Sequence, residues 1–169
     1  MIVVISATGS NIRSVSNALQ RLEQPFIISN DKTEILNASR VILPGVGTAR
    51  MGMNNLIDCG LVDVIKNITV PVLGICLGMQ LLYEYSHESN IAGIGVIPGE
   101  IQALSLPNDL VRPHMGWNKL IWQSDTPLNT EVISEPYVYF VHGYAAMVDQ
   151  HTLASCNYGG EFSAMVNKE

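Results

Sequence analysis

Positive charge is scarce in this sequence, where nine lysines and arginines stand against fifteen aspartates and glutamates and leave a formal net charge of −6. The basic residues are scattered, whereas a nucleic-acid-binding surface needs a basic stripe. No apolar run approaches the ~20 residues that span a bilayer, and residues 1–5 lack the basic leader and cleavage site of a signal peptide. We therefore expect a cytoplasmic protein that binds small molecules or other proteins, with no nucleic-acid or membrane partner.

Cysteine is also rare. The three cysteines, Cys59, Cys76 and Cys156, are widely spaced and form no C-x-x-C motif, so neither a disulfide framework nor a zinc site is indicated. We expect no metal and no cofactor. Apolar residues, in contrast, make up 47% of the 169 residues, enough for one domain with a substantial core. No repeat or linker divides the chain, and we expect a single domain over residues 1–169.

Strand and helix patterns alternate through the first half of the chain. Strands are predicted at residues 2–5, 25–29, 41–43 and 72–75. Ser10 is a candidate cap for a helix with apolar residues at 12, 15, 19 and 22, and a second helix is predicted at 61–68. This βαβ rhythm with nearly continuous apolar strands predicts a three-layer α/β fold, a flavodoxin-like, mostly parallel sheet between helices.

The pattern changes after Gly93 to short β-rich pieces separated by turn residues. Strands are predicted at residues 99–104, 119–122, 137–141, 145–148, 152–157 and 162–166. Close spacing and turn residues favour hairpins, so we expect an added antiparallel β region in the second half.

Cys76 is the strongest candidate for a reactive residue. Residues 71–75 are typical of a buried strand and residues from 77 onward of a helix, which places Cys76 on the turn between them. Gly74 and Gly78 flank it at the spacing of the G-x-S-x-G nucleophile elbow, here with cysteine. The following helix would favour a thiolate and present N–H groups to an oxyanion. A buried structural cysteine is the alternative, but the two glycines favour a nucleophile.

A second glycine pair, Gly45 and Gly47, follows the strand at 41–43. A plain turn explains this pair equally well, and a third glycine and a continuing helix, which dinucleotide binding requires, are not predicted. Carboxyl ends of parallel strands converge, so we expect this loop and Cys76 to face one crevice. The N–H groups of Gly47 and Leu77 would then form an oxyanion hole. Gln80 lies one helical turn after Cys76 and either contacts a substrate or is an ordinary polar residue.

The base that a cysteine nucleophile requires is harder to find. The chain contains four histidines: His87 and His151 lie in polar, solvated segments, and neither His114 nor His142 is followed by a convincing carboxylate that would orient it. Histidines of this kind are more often packed or hydrogen-bonded than catalytic. The residues therefore indicate a good nucleophile without a good base.

Several motifs together resemble a known family. Gly-Ile-Cys-Leu-Gly-Met-Gln-Leu-Leu at 74–82 and Pro-Gly-Val-Gly-Thr-Ala at 44–49 resemble the class I (triad) glutamine amidotransferases. Pro-His-Met-Gly-Trp-Asn at 113–118, Tyr-Phe-Val-His at 139–142 and Cys-Asn-Tyr-Gly at 156–159 are similar to the glutaminase subunits of imidazole glycerol phosphate synthases. The resemblance implies glutamine as substrate, and ammonia passed to a (β/α)8-barrel cyclase subunit in histidine biosynthesis.

The resemblance also implies residue roles. Cys76 would form a glutamyl thioester, and the oxyanion and substrate-binding residues would be Gly45, Gly47, Leu77, Gln80, Gly143 and Tyr144. The last two would lie at the amino-acid end of glutamine. Residues toward the cyclase would be Asn11, Trp117, Asn118 and Tyr139.

Two departures from the family pattern stand out. Gly143 replaces a serine or threonine, and the His-Pro-Glu motif that carries the triad base is absent before the end at Glu169. The resemblance therefore implies a truncated form that is nearly inactive as a glutaminase and has an uncovered apolar sheet edge. Three alternatives stay open: an ammonia-supplying subunit of a paralogous synthase for surface-polysaccharide sugars, a non-catalytic docking remnant, and a cysteine hydrolase with His142 as base.

Overall fold

The computed structural model of the protein describes residues 1–9, 11–124, 126 and 136–168. The chain divides into two compact units, Met1–Gly99 and Glu100–Glu169, and each is described by itself. Ser10, the candidate helix cap, and Glu169 lie outside the described residues. No helix in the described ranges is long and apolar enough to cross a membrane.

The first unit is built on a parallel sheet of four strands. These are β1 (Ile2–Val4), β2 (Phe26–Ile28), β3 (Arg40–Gly45) and β4 (Val72–Cys76), in the order β2-β1-β3-β4. All three neighbouring pairs are parallel, and the β3–β4 register ends with Gly45 opposite Cys76. The predicted parallel α/β architecture of the first half is confirmed.

Five helices accompany the sheet in the described part of this unit: α1 (Ile12–Arg21), α2 (Lys32–Leu36), α3 (Ala49–Asp58), α4 (Val62–Asn67) and α5 (Leu77–Leu81). Asn11 occupies the N-cap position of α1, without a side-chain capping bond. The apolar periodicity predicted for α1 ends before Leu22, which is its C-cap and is exposed. The prediction that no helix continues from the Gly47 loop was wrong, because α3 begins at Ala49.

The formation of α3 has a clear local cause. Thr48 caps it, its hydroxyl accepting the Met51 N–H at 3.4 Å, and the helix buries Ala49, Gly52, Met53 and Leu56. Gly52 and the Asn54–Asn55 pair lower intrinsic helix propensity and conceal the helix in the sequence. Burial of one face therefore overrides weak local preference.

The core of this sheet is asymmetric across its strands. Ile2, Val4 and Ile42 pack with Leu19 of α1, while Val3 and Leu43 are also buried, so the central strands are covered on both faces. At the edge strand β4, in contrast, Leu73 is 56% and Ile75 37% exposed. Apolar side chains thus reach solvent at the sheet edge that carries Cys76.

Strands β5 (Tyr83–Ser86) and β6 (Ile91–Ala92) form an antiparallel hairpin after α5, and β7 (Ile97–Ala103) runs across the boundary between the units. The β5–β6 hairpin was not predicted. Its strands are short and its turn is polar, so neither carries a distinct alternating pattern.

The second unit is antiparallel, as predicted. It contains β8 (His114–Lys119), β9 (Ile121–Trp122), β10 (Tyr137–His142), β11 (Tyr144–Ala146), β12 (Thr152–Asn157) and β13 (Glu161–Val166). β8 pairs with β10, β11 with residues 101–103 of β7, and β12 with both β9 and β13. The single strand predicted at 119–122 was wrong, because buried Leu120 separates β8 from β9, which join different sheets.

The exposed edge at β4 leads to a prediction about self-association. An apolar edge strand with open hydrogen-bonding groups is a template for pairing with another chain. We expect concentration-dependent oligomers in size-exclusion chromatography with light scattering, and we expect Leu73→Lys to reduce them. Leu36→Lys is the matched control, since Leu36 on α2 is also 56% exposed and lies away from the edge. A single monomer peak for the unsubstituted chain at all concentrations would contradict this expectation.

Candidate active site

Cys76 lies on a strained turn between β4 and α5. Its backbone has φ 54° and ψ −117°, one of three non-glycine residues with positive φ in the described chain. A non-glycine residue held in such a conformation costs on the order of 1–3 kcal/mol, and strain of this kind concentrates at functional sites. The thiol is exposed, and the side chain makes no capping hydrogen bond to α5. The turn therefore presents the sulfur outward, as in a nucleophile elbow.

The flanking glycines are required by space. A Cβ at Gly78 would lie 1.7 Å from the carbonyl oxygen of Leu43, and one at Gly74 would lie 2.6 Å from Cα of Met79. Both clashes are with backbone atoms, which cannot move aside as a flexible side chain does. The G-x-C-x-G spacing thus allows the strand, the turn and the helix to pack at backbone contact.

The Gly45–Gly47 loop lies beside this turn. Gly45 is the register partner of Cys76, and a Cβ on it would lie 2.8 Å from the Gly78 nitrogen. The Thr8 hydroxyl donates to the Pro44 carbonyl and ties the loop to the end of β1. Gly47 has φ +95°, which favours glycine. The expected convergence of the two loops is therefore present at Gly45.

Helix α5 adds less electrostatic support than the sequence suggested. It contains only five residues, so its dipole is small. The N–H groups of its first turn, which have no partner within the helix, are the groups that could donate hydrogen bonds to an oxyanion. The Leu77 side chain is buried and has no hydrogen-bond donor, so only its backbone N–H could contact an oxyanion. Gln80 lies one turn further along α5 and is half-buried.

The other two cysteines lie in different environments. Cys59 ends α3 and is exposed. Cys156 is fully buried on β12, and burial raises the pKa of its thiol to about 11, which keeps it protonated and unreactive. Within residues 1–9, 11–124, 126 and 136–168, no group of three potential ligands could hold a metal ion.

Gly143 and Tyr144 belong to the second unit, where the chain passes from β10 to β11. The Gly143 carbonyl accepts the Leu104 N–H at 3.0 Å, and the Tyr144 carbonyl lies 2.9 Å from Nδ1 of His142. A Cβ at Gly143 would lie 3.3 Å from Cγ of Arg112. A serine or threonine at position 143, which the family pattern has, would therefore place its Cβ in tight contact with the Arg112 side chain.

His142 is paired with His114, which the sequence did not indicate. Nδ1 of His114 lies 3.1 Å from Nε2 of His142, and the Asn118 amide lies 3.5 Å from the other nitrogen of His114. Burial lowers the pKa of both histidines, and His142 lowers that of His114 further. Twenty-eight residues separate the two histidines, so only the β8–β10 register, which places them opposite each other, reveals the pair.

Trp117 and Tyr139 belong to an exposed apolar surface, here called the β8–β10 face. Trp117 is 70% exposed, and its ring makes an edge contact with Tyr139 at 5.7 Å between centroids. The face consists of alternate residues of the two strands: Met115, Trp117, Tyr137, Tyr139 and Val141, all more than half exposed. Apolar residues at i and i+2 were the signal by which the whole face could have been found.

Asn118 and Asn11 have different surroundings. Asn118 is half-buried, and its amide donates to the Asn157 carbonyl at 3.0 Å. Asn11 is exposed at the start of α1 in the first unit. Contact of either residue with a partner stays a prediction.

Cys76 is strained and lies on a strand-to-helix turn at the carboxyl end of a parallel sheet, beside a second glycine loop. These features identify the chain as an α/β protein with a nucleophile elbow. The family model "Glutamine amidotransferase class-I" matches residues 3–169. The chain belongs to the class-I glutamine amidotransferase family, which confirms the resemblance found in its motifs.

Individual relatives agree with this assignment. "Imidazole glycerol phosphate synthase subunit HisH 2" of Legionella pneumophila (strain Lens) is 51% identical over 168 residues, covering 99% of this chain and 84% of that protein. "Imidazole glycerol phosphate synthase subunit HisH" of Pasteurella multocida (strain Pm70) is 44% identical, covering 98% and 83%. A solved glutamine amidotransferase shares the fold, with a TM-score of 0.69 at 15% identity over 96% of this chain and 87% of its own.

The buried histidine pair predicts a dependence of stability on pH. Unfolded histidines bind protons at a pKa of about 6.5, whereas the folded pair binds them only at lower pH. The unfolded state therefore holds more protons just below pH 6.5, and the free energy of unfolding falls as the pH drops through that window. We expect His114→Phe, which keeps the stacked ring, to lose less stability than the unsubstituted chain between pH 7.5 and 5.5. Urea titrations at both pH values measure this, and equal losses would contradict it.

Proposed function

We propose that this chain is the glutamine-hydrolysing subunit of a cytoplasmic imidazole glycerol phosphate synthase, and that it supplies ammonia to a (β/α)8-barrel cyclase subunit in histidine biosynthesis. The single observation that carries the proposal is the strained, exposed Cys76 between β4 and α5. The names of relatives with 44–51% identity support the assignment to this synthase.

The chemistry proceeds through a thioester. The Cys76 sulfur attacks the side-chain amide carbon of glutamine, and the resulting oxyanion is held by the N–H groups of Gly47 and Leu77. Collapse of this intermediate breaks the C–N bond, and the nitrogen leaves as ammonia after taking up the proton that the Cys76 thiol lost on attack. Water then attacks the thioester, releases glutamate and restores the thiol. Gln80 would contact the glutamine, and Gly143 and Tyr144 would bind its amino-acid end.

The histidine pair is poorly suited to serve as the base in this reaction. His142 has Nδ1 directed at the Tyr144 carbonyl and Nε2 directed at His114, so both of its ring nitrogens are already engaged. A general base needs a free lone pair within reach of the proton it removes. This geometry disfavours the alternative of a cysteine hydrolase with His142 as base.

The β8–β10 face supports a partner of the proposed kind. Tryptophan, tyrosine and methionine are the residue types enriched in protein–protein interfaces, and this face presents one Trp, two Tyr and one Met beside Val141. Contiguous exposed apolar surface of this kind marks interaction sites. We therefore propose that the cyclase subunit covers this face, with Trp117 and Tyr139 at its centre.

The nucleophile is tested by affinity labelling. A diazoketone analogue of glutamine alkylates a thiol with loss of N2, and we expect one adduct, on Cys76, which mass spectrometry of peptides locates. Glutamine should protect against labelling, Cys76→Ala should abolish it, and Cys59→Ala should leave it unchanged. Cys59 is the internal control, because it is also exposed but stands outside any elbow. Equal labelling of Cys59 and Cys76, or no protection by glutamine, would contradict the proposal.

The partner surface is tested by binding to the purified barrel subunit of the same organism. We expect Trp117→Ala to weaken binding by about 2 kcal/mol, the scale of a central aromatic contact. Met115→Ala should weaken binding measurably, whereas Met147→Ala should not. These two methionines are matched, being 62% and 60% exposed, but only Met115 belongs to the β8–β10 face. Unchanged affinity for both Trp117→Ala and Met115→Ala would rule out this face as the interface.

A further inference from the structure

The mechanism leaves one cluster of the second unit without a role. His114, His142 and Asn118 form a hydrogen-bonded chain that ends on the Tyr144 carbonyl. We propose that His114 and His142 are positioning residues that fix the Gly143–Tyr144 backbone for the amino-acid end of glutamine. This inference rests on the proposed function, because it deepens the role of the same segment.

The direction of every hydrogen bond follows from one carbonyl. The Tyr144 oxygen can only accept, so Nδ1 of His142 carries the proton at 2.9 Å. Nε2 of neutral His142 is then an acceptor, and Nδ1 of His114 must donate to it across 3.1 Å. Nε2 of neutral His114 is left to accept from Asn118 at 3.5 Å. Both rings are therefore the Nδ1–H tautomer.

The far end of the chain is anchored as well. The Asn118 amide nitrogen donates to the Asn157 carbonyl at 3.0 Å, and its oxygen accepts the Lys119 N–H at 2.8 Å. These two contacts fix which end of the amide faces His114, since only the NH2 end of the Asn118 amide can donate to the Asn157 carbonyl. Asn118 thereby prevents the His114 ring from turning over.

Packing holds both rings in place. His114 is 2% exposed and lies between two aromatic rings, stacked on Tyr158 at 4.0 Å and on Phe140 at 4.9 Å between centroids. His142 lies against Phe162 at 4.8 Å. Neutral rings at these positions agree with the lowered pKa of both histidines, which burial causes. The cluster is consequently stiff and uncharged near neutral pH.

The segment that this cluster holds joins β10 to the first residue of β11 through a flexible glycine. Gly143 has no side chain, and glycine loses more conformational freedom on ordering than any other residue. The Leu104 N–H restrains its carbonyl, and the His142 ring restrains the next carbonyl along the chain. A segment that is ordered before the ligand arrives costs less to bind. The predicted effect of breaking the chain is weaker glutamine binding.

Two substitutions at one position separate this role from a general effect on packing. His142→Asn keeps a nitrogen donor where Nδ1 stands, whereas His142→Gln places its amide near Nε2 and loses the bond to Tyr144. In a Cys76→Ala background, which binds glutamine without turnover, calorimetry should show about five- to tenfold weaker binding for His142→Gln, the value of one lost hydrogen bond. Binding by His142→Asn should stay within about twofold of the parent. His151→Gln, the same change outside the cluster, should have no effect.

The outcomes distinguish the two proposals. Absence of glutamine binding by the Cys76→Ala parent would overturn the proposed function and this role with it. Binding by the parent and equally by His142→Gln would overturn only the positioning role, as would equal weakening by both His142 variants. Nitrogen-15 NMR of the unsubstituted chain provides an independent readout: we expect the Nδ1–H tautomer for both histidines. Nε2–H tautomers, the form favoured for histidine in water, would contradict the assignment even if a variant failed to fold.

Discussion

The arrangement at Cys76 depends on backbone contact between β3 and the first turn of α5. Gly78 lies so near the Leu43 carbonyl that no side chain can stand between them, and Gly45 approaches the nitrogen of Gly78 from the same side. This contact brings the glycine loop into register with Cys76 and forces the chain through a sharp turn with positive φ. The surrounding sheet, buried on both faces at its central strands, supplies the packing that holds the strain. The exposed, strained position of Cys76 is thus a consequence of how closely Gly45, Gly74 and Gly78 let the backbone approach itself.

In the second unit, the β8–β10 strand pair has two faces with different residues. Its β8–β10 pair presents an apolar face to solvent and a polar, aromatic face to its own interior. Alternation along each strand produces both faces at once, because successive side chains point to opposite sides. Trp117 and Tyr139 therefore lie on the opposite face of the strand pair from His114 and His142. The same two strands carry both the proposed docking surface and the proposed support for substrate binding.

The sequence predicted the features that are local. The parallel strands, the helix predicted at 61–68 and the turn at Cys76 each rest on a short contiguous pattern. The structure contains all of them, with the helix at 62–67. Features that depend on pairing were missed or divided wrongly. Helix α3 has weak propensity and forms because it buries one face, and the strand predicted at 119–122 splits because Leu120 turns inward between two sheets. The His114–His142 contact depends on the β8–β10 register, which places residues twenty-eight positions apart opposite each other, and no local pattern contains it.

The central claim is that Cys76 forms a covalent bond to the substrate, and trapping of that intermediate tests it most directly. The chain is mixed with glutamine and its barrel partner, quenched in acid, and its intact mass and peptides are measured. The account predicts a glutamyl adduct on Cys76 that hydroxylamine removes, as expected for a thioester. Glutamine that binds and is hydrolysed with no adduct on Cys76, or with hydrolysis retained in Cys76→Ala, would contradict the account.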